Sequence, residues 1–477
     1  MGDLYTKLKE YAESDYYPYH MPGHKRRLGG EALAPFLPCD ITEIEGFDNL
    51  HDASAILRDI QKKAARICGA EESHYLVNGS TSGILSALSA ALPKGGTLLM
   101  ARGCHRSAYH AVYLRELQPV YLWTEVHPQF ECQMPVTADE VEQALNRYQE
   151  IQAVLIVSPT YEGLTADVAA IAAVVHRHGI PLIVDEAHGA HLGFHPCWAQ
   201  NSIRQGADLV IQSLHKTLPA PTQTAILHVS GDLINRDRLR RFLAIYQSSS
   251  PSYPFMAAME EALDLAEKQG QTLFEVFRKN WEKMLNRLKT CSCLTFLQEK
   301  NSDAGKLVIM DSSGQMNGQE LYERFLHRYH LQMEMAAGKY VLAMFTVGDS
   351  EEGYERLTQA ILEIDRECER KSREQRTGEH KEFAISVPQP EAAVSLCDAW
   401  DGQWEWQMLS DAEGRTSAEF IHLYPPGIPL IAPGEIFDRK MCDCLLEYEA
   451  MGLRVSGVNK ADGGYRVKAL RQAKDIV

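Results

Sequence analysis

Long apolar runs are missing from this sequence. It contains no stretch of about 18 consecutive apolar residues, so no membrane span is expected. The opening residues, MGDLYTKLKEYAESDYYPYH, lack the apolar segment that a secretory signal peptide requires. We therefore expect a cytoplasmic protein without a membrane partner.

Positively charged residues are fewer than negatively charged ones. The chain has 48 Lys and Arg residues against 64 Asp and Glu residues, which gives a net charge of -16. A surface of this sign repels the phosphates of nucleic acids and of anionic lipids, so we expect no nucleic-acid partner. Acidity suits a cationic small-molecule substrate, although it more often serves solubility.

Cysteine patterns typical of metal sites or disulfide frameworks are also absent. The eleven cysteines have no repeating spacing, and the pairs in CSC (291–293) and CDC (442–444) stand alone. We expect reduced thiols and no metal. One alternative stays open, because DEAHGAHLGFH (185–195) holds one aspartate and three histidines. Its spacing fits neither HExxH nor a Cys/His finger.

Strand-like and helix-like segments alternate between residues 55 and 250. The apolar runs QAVLIVSPT, IPLIVDEA and ADLVIQSL predict strands that are buried on both faces. DVAAIAAVVHRHG, between the first two, has the spacing of a helix. This alternation predicts an α/β fold with a mostly parallel sheet and helices on both of its faces.

The length of 477 residues allows two to four domains, and the texture of the sequence changes three times. We predict an N-terminal arm with a short opening helix, a large ligand-binding domain, a region of linking helices with a small α+β domain, and a C-terminal domain. Their bounds are 1–50, 51–255, 256–365 and 366–477. The charged run at 363–383 predicts a helix end and a solvated linker.

Lys216 stands in IQSLHKTLPA, directly after the predicted strand ADLVIQSL. Open α/β sheets bind ligands at the carboxyl ends of their strands, which is where this lysine should lie. A buried amine has a lowered pKa and can attack an aldehyde. Since most lysines after a strand are structural, Lys216 indicates chemistry only together with other residues.

Three further motifs follow neighbouring predicted strands. Asp185 in VDEAHGAH could pair with a protonated pyridine nitrogen, with His188 just beyond it. In LVNGSTSGIL small hydroxyl residues open a helix, which is an anion site to which Thr81 and Ser82 add donors. His105 in ARGCHRSAYH could stack on a planar ring. Each motif alone has a structural explanation, but together they indicate pyridoxal 5′-phosphate (PLP) on a parallel sheet.

At these residues the chain resembles the Orn/Lys/Arg decarboxylase family, the bacterial basic amino-acid decarboxylases. The resemblance covers nearly the whole chain and rests on YHMPGHKR, ITEIEGFDNLHDASAILRDIQKKAARICGAEESHYLVNGSTSGI, SPTYEG, VDEAHGAHLGF, SLHKTLPAPTQTAILH, SSSPSY and YPPGIPLIAPGE. It implies PLP as cofactor, the aspartate-aminotransferase-like fold type I, and decarboxylation of a basic amino acid.

The resemblance also assigns roles to single residues. Lys216 would form the Schiff base, Asp185 would pair with the pyridinium and His105 would stack on the ring. Lys216 or His215 would return a proton to the substrate. Further cofactor-binding residues would be Ser80, Thr81, Ser82, His188, Ser213 and His215. Ser248 in SSSPSY would reach the phosphate of a partner subunit, which implies a homodimer, or a higher oligomer built from one.

The distal cation of a basic substrate needs an acidic partner. The family motif favours Glu435 in APGE, and Glu43, Glu45 and Asp48 are further candidates. Arginine is our first choice of substrate, followed by lysine and ornithine. The reason is that no flavodoxin-like N-terminal wing is expected in this chain, and short family members without a wing include arginine decarboxylases.

Two other readings stay open. A fold-type-I aminotransferase or lyase would share Lys216 and Asp185, but an aminotransferase usually grips the α-carboxylate with an arginine in the ring plane. The SLHK and YPPGIPLIAPGE segments favour decarboxylation. The more distant reading is a catalytically inactive protein of the same fold.

Overall fold

The computed structural model describes residues 2–26, 29–32, 34–374, 389–423, 428–450, 452–453 and 455–471. Seven strands form its largest sheet: β1 (Glu72–Leu76), β2 (Thr97–Ala101), β3 (Gln118–Leu122), β4 (Ile151–Val157), β5 (Leu182–Asp185), β6 (Leu209–Gln212) and β7 (Ala225–Val229). Their order is β1-β7-β6-β5-β4-β2-β3. Strand β7 is antiparallel to both of its neighbours, and the other pairs are parallel.

Two helices precede the sheet, α1 (Asp3–Glu13) and α2 (Ile56–Cys68). The helices between its strands are α3 (Gly79–Ala91), α4 (Arg106–Arg115), α5 (Ala138–Arg147), α6 (Val168–Arg177) and the single turn α7 (Leu214–Thr217), and α8 (Arg236–Tyr246) follows the last strand. Every residue of β5, β6 and β7 is buried, so both faces of the sheet are covered. The predicted fold class is confirmed.

Local sequence explains several of these elements. The three apolar runs became β4, β5 and β6, because Val, Ile and Leu fill both faces of a covered sheet. Helix α2 ends at Gly69, which adopts the left-handed conformation with φ 83°. Between α1 and α2 the described residues form turns and one short 3₁₀ helix at Leu50–Asp52.

A single helix of 36 residues, α9 (Tyr253–Leu288), leads from the large sheet into the small domain. That domain has an antiparallel sheet in the order β10-β11-β9-β8, with β8 (Leu294–Phe296), β9 (Lys306–Asp311), β10 (Met335–Ala336) and β11 (Tyr340–Met344). Helices α10 (Gly318–Tyr329) and α11 (Glu351–Glu374) belong to it. Helix α11 runs through the predicted boundary at 365 and 366 and contains much of the charged run, whose end at 375–383 lies outside the described residues.

The C-terminal unit contains two three-stranded antiparallel sheets. One joins β12 (Trp404–Met408), β16 (Asn459–Ala461) and β17 (Gly464–Leu470), and the other joins β13 (Ile421–Leu423), β14 (Pro429–Ile431) and β15 (Val455–Ser456). Helices α12 (Leu396–Trp400) and α13 (Arg439–Ala450) and a 3₁₀ turn at Leu409–Asp411 complete it. In the described ranges, no helix has both the length and the apolar character needed to cross a bilayer.

Candidate active site

A cavity of about 450 Å³ opens at the carboxyl ends of the parallel strands. The strands end together there, because Val157 of β4 lies beside Asp185 of β5, which lies beside Ile211 of β6. Most of the predicted residues line this cavity: Ser80, Thr81, His105, Asp185, His188, Ser213, His215 and Lys216. The fold therefore brings together residues that are up to 136 positions apart in the sequence.

Lys216 projects from α7, the single helical turn that follows β6. Its Nζ lies 3.0 Å from Nε2 of His188, within hydrogen-bonding distance. Burial lowers the pKa of Lys216, and the charges of Asp185 and Glu334 partly oppose that shift. The amine is therefore easier to deprotonate than a solvated lysine, which a nucleophile requires.

His188 lies between Lys216 and an aromatic ring. Its ring centroid is 4.5 Å from that of Tyr161, and only 6 % of the residue is exposed. Burial and then the charge of Lys216 hold the pKa of His188 well below its usual value, so the imidazole is neutral. Its Nδ1 is buried without a hydrogen-bond partner.

Asp185 ends β5 and is 7 % exposed. One carboxylate oxygen accepts a hydrogen bond from the N–H of Ala187 at 3.2 Å. Burial raises the pKa of Asp185, while Lys216 and that N–H oppose the rise. Since none of the described side chains donates to this carboxylate, it is placed to hold a proton on a cationic ring nitrogen.

The first turn of α3 forms an anion-binding corner. Gly79 has φ 72°, and its N–H bonds to the carbonyl of Gln223 at 2.9 Å. Asn78, the preceding residue, makes no side-chain cap, so first-turn N–H groups stay available beside Ser80 and Thr81. Ser82 differs from the expectation, because its hydroxyl donates back to the carbonyl of Gly79 at 2.8 Å and it does not line the cavity.

Two more predicted residues complete the wall near Lys216. Ser213 is fully buried, and its hydroxyl has no hydrogen-bond partner in the structure. His215 Nδ1 lies 2.8 Å from the carbonyl oxygen of Thr224 and therefore donates to it. Burial lowers the pKa of His215, so its Nε2 carries a lone pair at neutral pH.

His105 is the N-cap residue of α4, where its Nδ1 accepts the N–H of Ser107 at 3.2 Å. Because Nδ1 accepts, the ring proton of the neutral imidazole is on Nε2. Burial, followed by the charges of Lys216 and Arg106, lowers the pKa of His105 to about 4. The capping bond fixes a neutral, flat ring on the cavity wall, as stacking requires.

Two predicted site residues lie away from the cavity. Ser248 is exposed, and its N–H donates to Asn78 Oδ1 at 3.0 Å, next to the anion-binding corner. Glu435 is 2 % exposed and forms an ion pair of 2.9 Å with Arg102. The structure does not bring Glu435 to the cavity, because its carboxylate is already engaged by this buried guanidinium.

The other acidic candidates do not line the cavity either. Asp48 accepts hydrogen bonds from the N–H groups of Ser54, Ala55 and Leu57, so it caps the start of α2. These bonds outweigh its partial burial and lower the pKa of Asp48. Glu43 and Glu45 lie in the same segment, ahead of that cap.

Sequence reasoning missed two carboxylates that do line the cavity, Glu162 and Glu334. Glu162 belongs to SPTYEG, so the family motif carried a signal that could have found it. Glu334 lies in the small domain, just before β10, and no local pattern marks it. Only the folding of the small domain against the large sheet brings it to the wall of the cavity.

These residues fit PLP. The corner of α3 offers N–H and hydroxyl donors to a phosphate, and the unpartnered hydroxyl of Ser213 is a further buried donor. Asp185 suits the ring nitrogen, and Lys216 suits the aldehyde. Within the described part of the chain, no three or more His, Cys, Asp and Glu side chains are grouped to hold a metal ion.

Comparison with known families gives two matches. The model for "Orn/Lys/Arg decarboxylase, major domain" matches residues 2–323, and the model for "Orn/Lys/Arg decarboxylase, C-terminal domain" matches residues 380–473. Together they account for the central sheet with its cavity and for the C-terminal unit.

Single relatives cover nearly all of the chain. It is 33% identical over 476 residues to the uncharacterized protein YaaO of Bacillus subtilis, with 95% of each chain covered. It is 29% identical over 472 residues to an arginine decarboxylase of the same organism, again with 95% of each covered. Among solved structures, the lysine decarboxylase LdcF of Francisella novicida has a TM-score of 0.84 at 20% identity, covering 99% of this chain and 81% of that one.

Proposed function

The chain belongs to the Orn/Lys/Arg decarboxylase family and is a PLP-dependent amino-acid decarboxylase, and we propose that its substrate is arginine. The reaction would release CO2 from the α-carboxylate and leave agmatine. Lysine and ornithine are the second choices, because they differ from arginine only in the distal cation and the number of methylene groups. A pocket discriminates by only about 1–3 kcal/mol for one methylene.

The charge content of the cavity carries this proposal. Besides Asp185, the cavity is lined by Glu162 and Glu334, and no arginine is among the described residues of its wall. Two carboxylates suit a substrate with a second cation. The lack of a lining arginine in the described ranges disfavours the aminotransferase alternative, which needs a guanidinium for the α-carboxylate.

The relatives support arginine over lysine. The arginine decarboxylase of Bacillus subtilis is 29% identical to this chain, whereas the constitutive lysine decarboxylase of Escherichia coli is 24% identical. Two carboxylates also favour a guanidinium, whose planar set of five N–H donors can bond to both.

When bound, PLP supplies an electron sink for the electron pair that remains on Cα as CO2 leaves. The protein would maintain that sink through Asp185, whose carboxylate is placed to keep a proton on the ring nitrogen. His105 would present a neutral ring to the cofactor, so it would add no charge that competes with that proton. Apolar residues of the wall, among them Val136, Val157 and Pro159, limit the water around the departing carboxylate.

Proton return to Cα is assigned to Lys216 rather than His215. The Nδ1 proton of His215 is committed to the carbonyl of Thr224, and its Nε2 must first gain a proton before it can give one. Lys216 Nζ carries its own protons and lies 3.0 Å from the neutral Nε2 of His188. His188 therefore orients the amine and can take up or return a proton at that atom.

We further propose a homodimer in which Ser248 completes the phosphate site of the partner subunit. Ser248 is exposed, and its N–H is bonded to Asn78 at the start of α3, so this loop lies beside the anion-binding corner of its own chain. A twofold axis that runs close to this corner would place each Ser248 against the other subunit.

The substrate test compares arginine, lysine and ornithine at equal concentration with PLP present, and it measures CO2 and the amine product. We expect kcat/KM to be highest for arginine. Lys216→Ala should lose the visible absorbance of the bound cofactor and lower kcat by at least about 10³-fold, because covalent catalysis and proton return both depend on its amine. Lys62→Ala, which removes an exposed lysine of α2, is the matched control.

Two results would contradict the proposal. Release of a keto acid without CO2 would favour the aminotransferase alternative. Retained turnover in Lys216→Ala, with normal turnover in Lys62→Ala, would overturn the assignment of the catalytic lysine.

A further inference from the structure

Two adjacent residues of the large domain exchange hydrogen bonds with two residues of the small domain. The hydroxyl of Tyr161 donates to Glu334 Oε1 at 2.5 Å, and the hydroxyl of Tyr340 donates to Glu162 Oε1 at 2.6 Å. Each domain thus supplies one phenol and one carboxylate. We call this arrangement of Tyr161, Glu162, Glu334 and Tyr340 the crossed pair.

The crossed pair holds both carboxylates at the wall of the active-site cavity. Among the described residues, neither Glu162 nor Glu334 forms an ion pair with a lysine, arginine or histidine within 4.0 Å. Other carboxylates in the described ranges do have such a partner, since Glu435 pairs with Arg102 and Asp303 with His191. Glu162 and Glu334 therefore bring negative charge to the cavity that the protein itself does not neutralise by contact.

The nearby lysines do not form an ion pair with Glu162 or Glu334. Lys306 is 5 % exposed and lies behind the loop, where a Cβ on Gly163 would come within 2.5 Å of its Cγ. Lys216 is the only lysine or arginine among the described lining residues, and under the proposed function its amine would be engaged by the cofactor. A cation for the two carboxylates must then come with the ligand.

A chain of contacts sets the position of Glu334 relative to the reacting centre. Lys216 Nζ lies 3.0 Å from His188, the ring of His188 lies 4.5 Å from that of Tyr161, and the hydroxyl of Tyr161 reaches Glu334. His188 also lines this wall; the residue is 6 % exposed, and its Nδ1 has no hydrogen-bond partner. Glu334 is thus linked to Lys216 through the side chains of His188 and Tyr161.

We propose that Glu162 and Glu334 together bind the distal cation of the basic amino acid, with Tyr161 and Tyr340 as residues that orient the two carboxylates. The proposal rests on the proposed function, and it replaces Glu435 as the acidic partner. A guanidinium, which can donate to two carboxylates at once, is the cation that this pair fits best. Because one carboxylate comes from each domain, a bound cation would also connect the two domains.

The experiment compares each basic amino acid with a neutral counterpart of the same shape: arginine with citrulline, and lysine with 2-aminoheptanoic acid. In the holoenzyme, Glu334→Gln and Glu162→Gln should each lower the preference for the basic member by about 10- to 100-fold, mainly through KM. Glu352→Gln, the same change at an exposed position of α11, is the matched control and should keep the wild-type preference.

A binding measurement gives a readout independent of turnover. The Kd of agmatine for the holoenzyme, measured by calorimetry, should rise by the same factor in both variants, while the visible absorbance of bound PLP stays unchanged. Glu334 is an exposed residue, so Glu334→Gln is expected to fold even if Glu162→Gln does not. Tyr161→Phe should raise KM several-fold with little change in kcat, as expected for an orienting residue.

The outcomes separate this proposal from the proposed function. If the wild-type enzyme releases no CO2 from any basic amino acid, the proposed function fails. If it does release CO2, but Glu334→Gln keeps the wild-type preference and the wild-type Kd for agmatine, the assignment of the crossed pair is overturned and decarboxylation stands.

Discussion

At the scale of single residues, Glu186 shows how the sheet supports the cavity from behind. It follows Asp185, but its carboxylate accepts hydrogen bonds from the hydroxyl and N–H of Ser202 and from Gln212 Nε2 at 2.6 Å. Gln212 Oε1 in turn lies 3.1 Å from His228 Nε2. This buried network fixes the end of β5, and with it the position of Asp185.

The network makes stability depend on pH. Burial raises the pKa of Glu186 from its ordinary 4.5 to about 7, although Ser202 and Gln212 oppose the rise. Between these two values the unfolded chain loses this proton before the folded chain does. The free energy of unfolding therefore falls as the pH rises from about 4.5 to 7, by at most about 3 kcal/mol.

Glu186→Gln removes the titratable carboxyl group and nearly keeps the shape of the side chain. We expect the melting temperature of the variant, relative to the wild type, to increase between pH 5 and pH 8, because only the wild type bears the cost of a buried charge at the higher pH. Scanning calorimetry at several pH values measures this. The exposed change Glu352→Gln should show no such trend, and a flat difference for Glu186→Gln would contradict the assignment.

Sequence reasoning placed single residues at the cavity where their signal is local, and their roles stay predictions. Lys216, Asp185 and His105 each follow a strand that the sequence displays, so their arrival at one sheet edge follows from a parallel sheet. Glu334 depends on how the small domain packs, which no short pattern encodes. Glu435 is the opposite case: the family motif points to this residue, but it does not reveal that an ion pair with Arg102 already engages the carboxylate.

At the scale of elements, helix α3 must approach the sheet closely to present its first turn to the cavity. A Cβ at Gly83 would lie 2.6 Å from Leu76 Cδ1 and 2.9 Å from Ile211 Cγ2. Ile211 is β-branched and fully buried in β6, so it has little room to move. The glycine therefore sets the distance between α3 and the strand that leads to Lys216.

Gly83→Ala should push α3 away from β6. We expect a loss of about 1–2 kcal/mol of stability, because overpacking outweighs the gain in helix propensity, and a several-fold weaker affinity for PLP. Gly353→Ala is the matched control, since Gly353 is an exposed helical residue whose Cβ would meet only Ser350 Oγ at 3.7 Å. Thermal unfolding and cofactor titration test both, and unchanged PLP affinity in Gly83→Ala would contradict the role of α3.

The length of an element decided whether the sequence could predict it. Strands β4, β5 and β6 are apolar throughout, and α2 carries its own stop at Gly69, so both kinds were visible in advance. Strands of two or three residues, such as β10 and β15, have too few positions for a period to show. Helix α9 was predicted as several helices, but it continues through Gly270 without a break.

At the scale of the whole molecule, the proposed homodimer makes each active site depend on both chains. Each site would take Lys216 from one chain and Ser248 from the other. A dimer of a Lys216 variant with a Ser248 variant would therefore still contain one site in which both residues are intact. We expect Ser248→Asp to weaken PLP binding, because a carboxylate repels the phosphate. Co-expression of Lys216→Ala with Ser248→Asp should then restore about a quarter of the wild-type activity, the fraction of sites that random pairing leaves intact.

Differently tagged chains allow the mixed dimer to be isolated and its mass to be measured by ultracentrifugation. The two parent variants, purified alone, are the controls. Activity of the mixture that only equals the sum of the parents would contradict shared sites, and a monomeric wild-type protein would contradict the dimer.

The division of the chain into domains stays a prediction, because the sequence offers only an outline of it. Changes of composition marked a large α/β unit and smaller units after it, because a parallel sheet has a distinctive sequence texture. The contacts between units were not visible. Arg102, which follows β2, reaches into the C-terminal unit to bond with Glu435 and with the carbonyl of Leu430 at 3.2 Å.

The crossed pair has a consequence for attempts to evolve new specificity. Each of its carboxylates depends on a phenol in the other domain, so the fitness effect of a substitution at Glu162 depends on the residue at Tyr340, and likewise for Glu334 and Tyr161. These four positions are therefore epistatic. A library that varies them one at a time will yield mostly losses, whereas one that randomises partners together can reach enzymes for amino acids with uncharged side chains.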